Sequence, residues 1–168
     1  MEDHSNHEGK VIFIRNFIFG VEDSLVSTVG LLSGIAWAGV ARETVFLTGV
    51  VLVLVEAFSM AVGSFLTEHS AEEYIHGTAV PSRMPIWGGM IMFISYFISG
   101  FIPLSPYIFL SIPQAFPLSI ILSLLSLFIL GVLGARFART SWVKSGLRMF
   151  LVGGAAIFVG VLAGNLAG

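Results

Sequence analysis

The sequence has no cysteine, and only 11% of its 168 residues are charged. The first absence excludes a disulfide framework, a thiolate metal site and a haem-attachment motif. The second argues against a soluble domain. With 56% hydrophobic residues and a mean hydropathy of +0.95, one globule could not bury its apolar surface. A basic stretch ahead of an apolar core is missing too. Met1–Lys10 is polar and acidic, so the first apolar run is expected to be retained as a signal anchor. Nothing in the composition points to an enzyme or to a nucleic-acid partner.

What the chain does have is long apolar runs. They predict an all-α polytopic membrane protein, a single domain of five transmembrane helices at about 14–40, 45–67, 85–101, 116–136 and 146–166. The short turn Ala41-Arg42-Glu43-Thr44 makes the first two spans an antiparallel hairpin. The second helix is expected to continue as an acidic and histidine-bearing extension over 68–77 and to stop at Gly77. Pro103, Pro106 and Pro113 predict a turn at the membrane surface, with Pro117 in the first turn of the span that follows. Gly131, Gly134, Gly153, Gly160 and Gly164 suit close helix contact in the last two spans. The segment Met1–Lys10, with Glu2, Asp3, His4, His7 and Glu8, is expected to be a solvated mobile tail. With the N-terminus in the cytoplasm, Lys10, Arg15, Arg83, Arg136, Arg139, Lys144 and Arg148 lie inside and only Arg42 outside. Five spans then put the C-terminus outside. The membrane would be the plasma membrane in a prokaryote and a vacuolar-type membrane in a eukaryote.

Against this background the acids inside the spans stand out. Glu22 and Asp23 sit in the first apolar run and Glu56 in the second, one helical turn before Met60. A charged group in hydrocarbon costs about 2.5 kcal/mol or more, so such acids face a partner, a cavity or an ion. At about 100° per residue, Asn16, Gly20, Asp23, Ser27, Gly30 and Gly34 form one stripe, and Gly49, Glu56, Met60, Gly63 and Thr67 another. In an antiparallel hairpin Asp23 and Met60 fall level, with Glu56 one turn further out. The pattern suggests a cation path, with the Met60 thioether as a soft ligand or as core filler. Glu22 points about 100° away, toward another helix or a second subunit. A second constellation is Glu68, His69, Glu72, Glu73 and His76, which share an arc of about 140° on a helix. Carboxylates and imidazoles together suit Fe, Mn, Zn, Co or Ni ions; a solvated helix end is the plain alternative.

Phe19-Gly20-Val21-Glu22-Asp23-Ser24-Leu25-Val26-Ser27-Thr28 resembles the first-span motif of the vacuolar iron transporter family, roughly G-x-x-D-G-L-V-S-T. Glu56-Ala57-Phe58-Ser59-Met60-Ala61-Val62-Gly63-Ser64-Phe65-Leu66 is similar to that family's A-G-A-x-S-M-A-x-G-x-[FY]. Ile102-Pro103-Leu104-Ser105-Pro106-Tyr107 resembles its P-L-x-P-[YF] turn, and 147–164 its glycine-rich last span. The resemblance implies a five-span homodimer that exports Fe2+ or Mn2+ from the cytosol in exchange for protons, with no permanently bound cofactor. It places Asp23 and Met60 on the metal path. The sequence departs from the family at Ser24, which replaces a glycine, and at Glu56, which stands where a small residue is usual. The cytoplasmic helical domain between the second and third spans is reduced to about fifteen residues, Glu68 to Arg83. Metal ligands must be deprotonated, so metal and protons would compete for the same carboxylates. The alternatives are a carrier or channel for another cation, and a non-transporting assembly or sensor subunit.

Overall fold

In a bilayer every backbone N–H and C=O must find its partner within the protein, so long apolar runs close on themselves as helices. The computed structural model describes residues 2–78, 81 and 83–167, the side chains of 2–8 and 138 excepted; among them there is no strand. The helices are α1 (Glu2–Trp37), α2 (Arg42–His76), α3 (Arg83–Leu104), α4 (Pro106–Phe109), α5 (Ile112–Ala138) and α6 (Trp142–Ala167). All but the short α4 are long and apolar enough to cross a membrane, which makes this an all-α integral membrane protein with five such helices among the described residues.

The helix ends differ from expectation in several places; α2 and α6 begin early, at Arg42 and Trp142. The backbone of Glu2–Lys10 is helical where a mobile tail was expected. The segment has no proline and runs in register into the apolar stretch. The side chains of Glu2, Asp3, His4, His7 and Glu8 lie outside the described residues. α1 stops at Trp37, short of Val40, because Gly39 turns the chain with φ 76°. α3 runs past Phe101 through Pro103 to Leu104. The Pro103 carbonyl accepts a 2.6 Å hydrogen bond from Ser119 Oγ of α5, which satisfies one group at the helix end. α5 begins at Ile112 with Pro113 in its first turn, leaving Pro117 inside the helix. Its missing N–H forfeits only one bond near the start. At the end of α2, Gly77 adopts φ 65° and donates its N–H to the Glu73 carbonyl at 2.9 Å.

α1 is the central post. It packs against α2, α3, α5 and α6, whereas α2 leans mainly on α3. Gly30 and Gly34 of α1 lie against Gly160 and Gly164 of α6, backbone on backbone. A Cβ added at Gly34 would sit 2.6 Å from the Gly160 carbonyl oxygen, and one at Gly160 or Gly164 would strike the carbonyl of Gly30 or Gly34. Small residues four apart on both helices permit this approach. Gly131 of α5 meets Ser145 and Gly146 of α6 in the same way. Two apolar clusters fill the interior. One gathers Leu32, Val45, Leu104, Tyr107 and Ala115; the other gathers Leu25, Leu127, Leu130 and Met149. Leu47, Phe58, Ile98, Leu125 and Phe158 point outward, as lipid-facing residues do. The alternation of helices places Lys10, Arg15, Arg83, Arg136, Arg139, Lys144 and Arg148 toward one end of the bundle and Arg42 at the other.

Candidate functional site

The acids of the first two spans lie where α1, α2 and α3 meet. α1 contributes Glu22 and Asp23, and α2 contributes Glu56 and Met60; all four are half-buried. Asp23 lies within range of the charges of both Glu56 and Glu22. No Lys, Arg or His occurs in α1 from Asn16 to Trp37 or in α2 from Val45 to Leu66, so these spans supply no cation to answer the acids. Among the described residues Asp23 accepts no side-chain hydrogen bond, whereas Glu56 does.

The donor to Glu56 is Tyr96 of α3. Its hydroxyl donates to Glu56 Oε2 at 3.0 Å and shares a 2.6 Å hydrogen bond with Ser27 Oγ of α1. The ring is fully buried, and the Tyr96 carbonyl accepts from Ser24 Oγ at 2.7 Å. One phenol therefore ties three helices together at the level of the acids. The close approach depends on Gly100, where a Cβ would come within 2.9 Å of Ser24 Oγ.

About three turns nearer the basic end of the bundle lies a second network. Arg15 of α1 forms an ion pair with Glu68 of α2. Asn16 Nδ2 donates to Glu68 Oε1 at 2.7 Å, and Ser64 Oγ donates to Asn16 Oδ1 at 3.0 Å. Gly88 of α3 makes room for the carboxylate, whose Oε2 is buried and has no hydrogen-bond partner. Between this network and the acids, a groove of about 500 Å³ runs along α1 and α2. Met60, Met92, Ser64, Thr67, Asn16 and Glu68 are among the residues on its walls. The groove exists because α2 packs on α3 more than on α1. Two thioethers, two hydroxyls, an amide and one carboxylate form a donor set suited to divalent transition ions.

The residues singled out at the end of α2 separate. Glu68 turns inward to Arg15, while His69 Nε2 lies 3.5 Å from Glu73 Oε1. His76 Nδ1 sits 2.9 Å from the Glu72 carbonyl, and the His69 ring stacks on Phe65. Among the described residues no three His, Asp or Glu are gathered as metal ligands. The small-residue stripes divide as well. Asn16 and Ser27 line the polar interior, but Gly30 and Gly34 serve the contact with α6, and Gly49 admits Leu104 and Leu32.

Sequence reasoning missed Tyr96, Arg15, Ser64 and Met92. A phenol in the middle of an apolar span was the one usable signal, since a buried tyrosine hydroxyl needs a partner.

A model of the VIT family matches residues 14–81 and 76–165, two segments that meet at the connection between α2 and α3. Vacuolar iron transporter 1 of Tulipa gesneriana is 22% identical over 215 residues, covering 92% of this chain and 87% of that protein. That match is longer than the 168 residues here, so the tulip protein carries segments without a counterpart in this chain. Together the two matched segments take in most of every membrane-length helix, and on that ground the chain belongs to the VIT family.

Proposed function

We propose that this protein carries Fe2+ or Mn2+ out of the cytosol in exchange for protons, as a homodimer with its N-terminus cytoplasmic and its C-terminus outside. The observation that carries this reading is the pair Asp23 and Glu56, within range of each other's charge, with no basic side chain from Asn16 to Trp37 or from Val45 to Leu66. A pair of carboxylates without a counter-cation is costly there, and a divalent ion or protons relieve the cost. Either occupant displaces the other, which is the elementary basis of exchange. The groove lined by Glu68, Thr67 and Met60 offers the approach from the basic end. The concentration of Lys and Arg at that end supports its cytoplasmic placement. The name of the tulip relative favours iron. Ser59, Gly63 and Thr67 stand exposed on α2, the last two on the outer wall of the groove. Small and polar residues at such a depth favour helix association, so we assign this face to the second subunit. This is carrier chemistry and not enzyme chemistry: no covalent step is required of any residue.

Flux into proteoliposomes across a panel of Fe2+, Mn2+, Co2+, Ni2+ and Zn2+, read with an internal pH indicator, tests the proposal. Metal uptake coupled to proton movement supports exchange, and uptake without it supports a channel. Absence of flux for every ion would overturn the assignment in favour of an assembly subunit.

Two further outcomes follow from the site. Glu56→Gln keeps an acceptor for the Tyr96 hydroxyl but removes the charge, whereas Tyr96→Phe removes the hydrogen bond and keeps the charge. Apparent metal affinity falls about tenfold in each, by loss of a ligand charge or of its positioning partner. Only Tyr96→Phe lowers thermal stability, by about 1 kcal/mol, because it alone breaks bonds between helices. Flux titrations paired with melting curves check both. His69→Gln with His76→Gln tests capture at the end of α2. Because these residues separate, superimposable titrations are the expected result, and a several-fold loss of apparent affinity at unchanged maximal flux would mark the segment as a capture site after all.

A further inference from the structure

Charge is divided between the two halves of this chain. All ten acidic residues lie at or before Glu73, while Arg83, Arg136, Arg139, Lys144 and Arg148 follow it. Four of those cations cluster where α5 turns into α6. Arg136 is in the last turn of α5, Arg139 is its left-handed cap with φ 53°, and Lys144 and Arg148 lie in the first two turns of α6. All four side chains are exposed, and among the described residues none pairs with a carboxylate. Beneath them a cleft of about 370 Å³ opens between the two helices, lined by Val132, Leu133, Arg136, Thr140 and Trp142. Its lower wall is apolar and its rim carries a guanidinium and a hydroxyl. An indole stands on the rim, 60% exposed.

We propose that this cleft binds an acidic phospholipid. The arrangement matches that ligand from top to bottom. Arg136 and Thr140 meet the phosphate, and Arg139 and Lys144 supply further positive charge around an anionic headgroup. Trp142 lies at the interfacial level, where an amphipathic ring is stable. Val132 and Leu133 continue downward as a surface for the start of an acyl chain. A general excess of positive charge at the cytoplasmic side would orient the protein but would not call for a cleft with an apolar wall under the cations. The site is separate from the groove of α1 and α2, so it stands or falls independently of the transport proposal.

The test uses Trp142 as its own reporter. Trp37→Phe and Trp87→Phe leave it as the only tryptophan of the 168 residues. That protein is reconstituted into phosphatidylcholine vesicles containing a small fraction of brominated lipid, either phosphatidylglycerol or phosphatidylcholine. Quenching of Trp142 by the acidic lipid is expected to show about fivefold or greater preference over the neutral one. The preference falls with added salt and is lost in Arg136→Gln with Arg139→Gln. Equal quenching by the two lipids would show an ordinary annular contact and overturn the proposal. A preference that survives the double substitution would overturn the assignment to this cleft. Circular dichroism of the double variant confirms that a lost preference is not a lost fold.

Discussion

Asp23→Asn reduces metal flux by at least about tenfold, the equivalent of about 1.4 kcal/mol or more at the rate-limiting step. The side chains have nearly the same shape, so the packing around this position is kept. What disappears is the negative charge that would offset stripping water from a divalent ion in a region of low dielectric. Among the described residues Asp23 accepts no side-chain hydrogen bond, so its replacement leaves the packing of α1 on α3 and α6 unchanged. Glu22→Gln serves as a companion: on the proposed reading it has the smaller effect, because Glu22 acts on Asp23 through its field from a different face of α1. The measurement is initial-rate metal uptake by purified protein in liposomes, with gel filtration to establish that the variant is folded. Uptake at the wild-type rate would remove Asp23 from the path.

The second large effect falls on folding. Gly34→Leu drives four heavy atoms into the backbone of Gly160, where even a Cβ would come to 2.6 Å of the carbonyl oxygen. Neither helix has a flexible side chain to move aside, so α1 and α6 must separate along the length of the contact. Overpacking of a core costs typically about 1–3 kcal/mol, and a backbone obstacle places this substitution at or above the upper end. Gly63→Leu is the matching control, since nothing lies within 4 Å of a Cβ there. That variant remains folded as a single chain, and on the proposed dimer it separates the subunits. Thermal unfolding and size-exclusion chromatography with light scattering read the two results. A Gly34→Leu protein as stable as the parent would contradict the backbone contact itself.

The membrane architecture was legible because its signal is crude and strong. Five apolar runs separated by Arg42, Gly77, the Pro103–Pro113 region and Arg139 leave little freedom in a solvent that forbids unpaired backbone. The acids were legible for the same reason, since Asp23 and Glu56 are conspicuous in hydrocarbon. Rotation about each helix axis was much harder to read. α3 buries Ser95, Tyr96 and Ser99 on one side, but the rest of the helix is apolar all round, so periodicity alone does not say which of them faces α1. Tyr96 could be noticed but not aimed. The stripe on α1 was geometrically sound, yet it could not say that Gly30 and Gly34 answer to α6 while Ser27 answers to Tyr96. Glu68 was grouped with His69, Glu72, Glu73 and His76 by spacing on its own helix. Arg15, 53 positions away, decides where its carboxylate goes.

An odd number of crossings has a consequence for protein engineering. Glu2 and Ala167 lie at opposite ends of the bundle, because α1 and α6 run in the same direction through it. Two copies that share one orientation therefore cannot be joined tail to head by a short flexible linker. Such a fusion would insert its second half upside down. A single-chain pair carrying Asp23→Asn in one half alone would show whether each half conducts by itself. Its design must include an extra membrane-crossing helix between the copies.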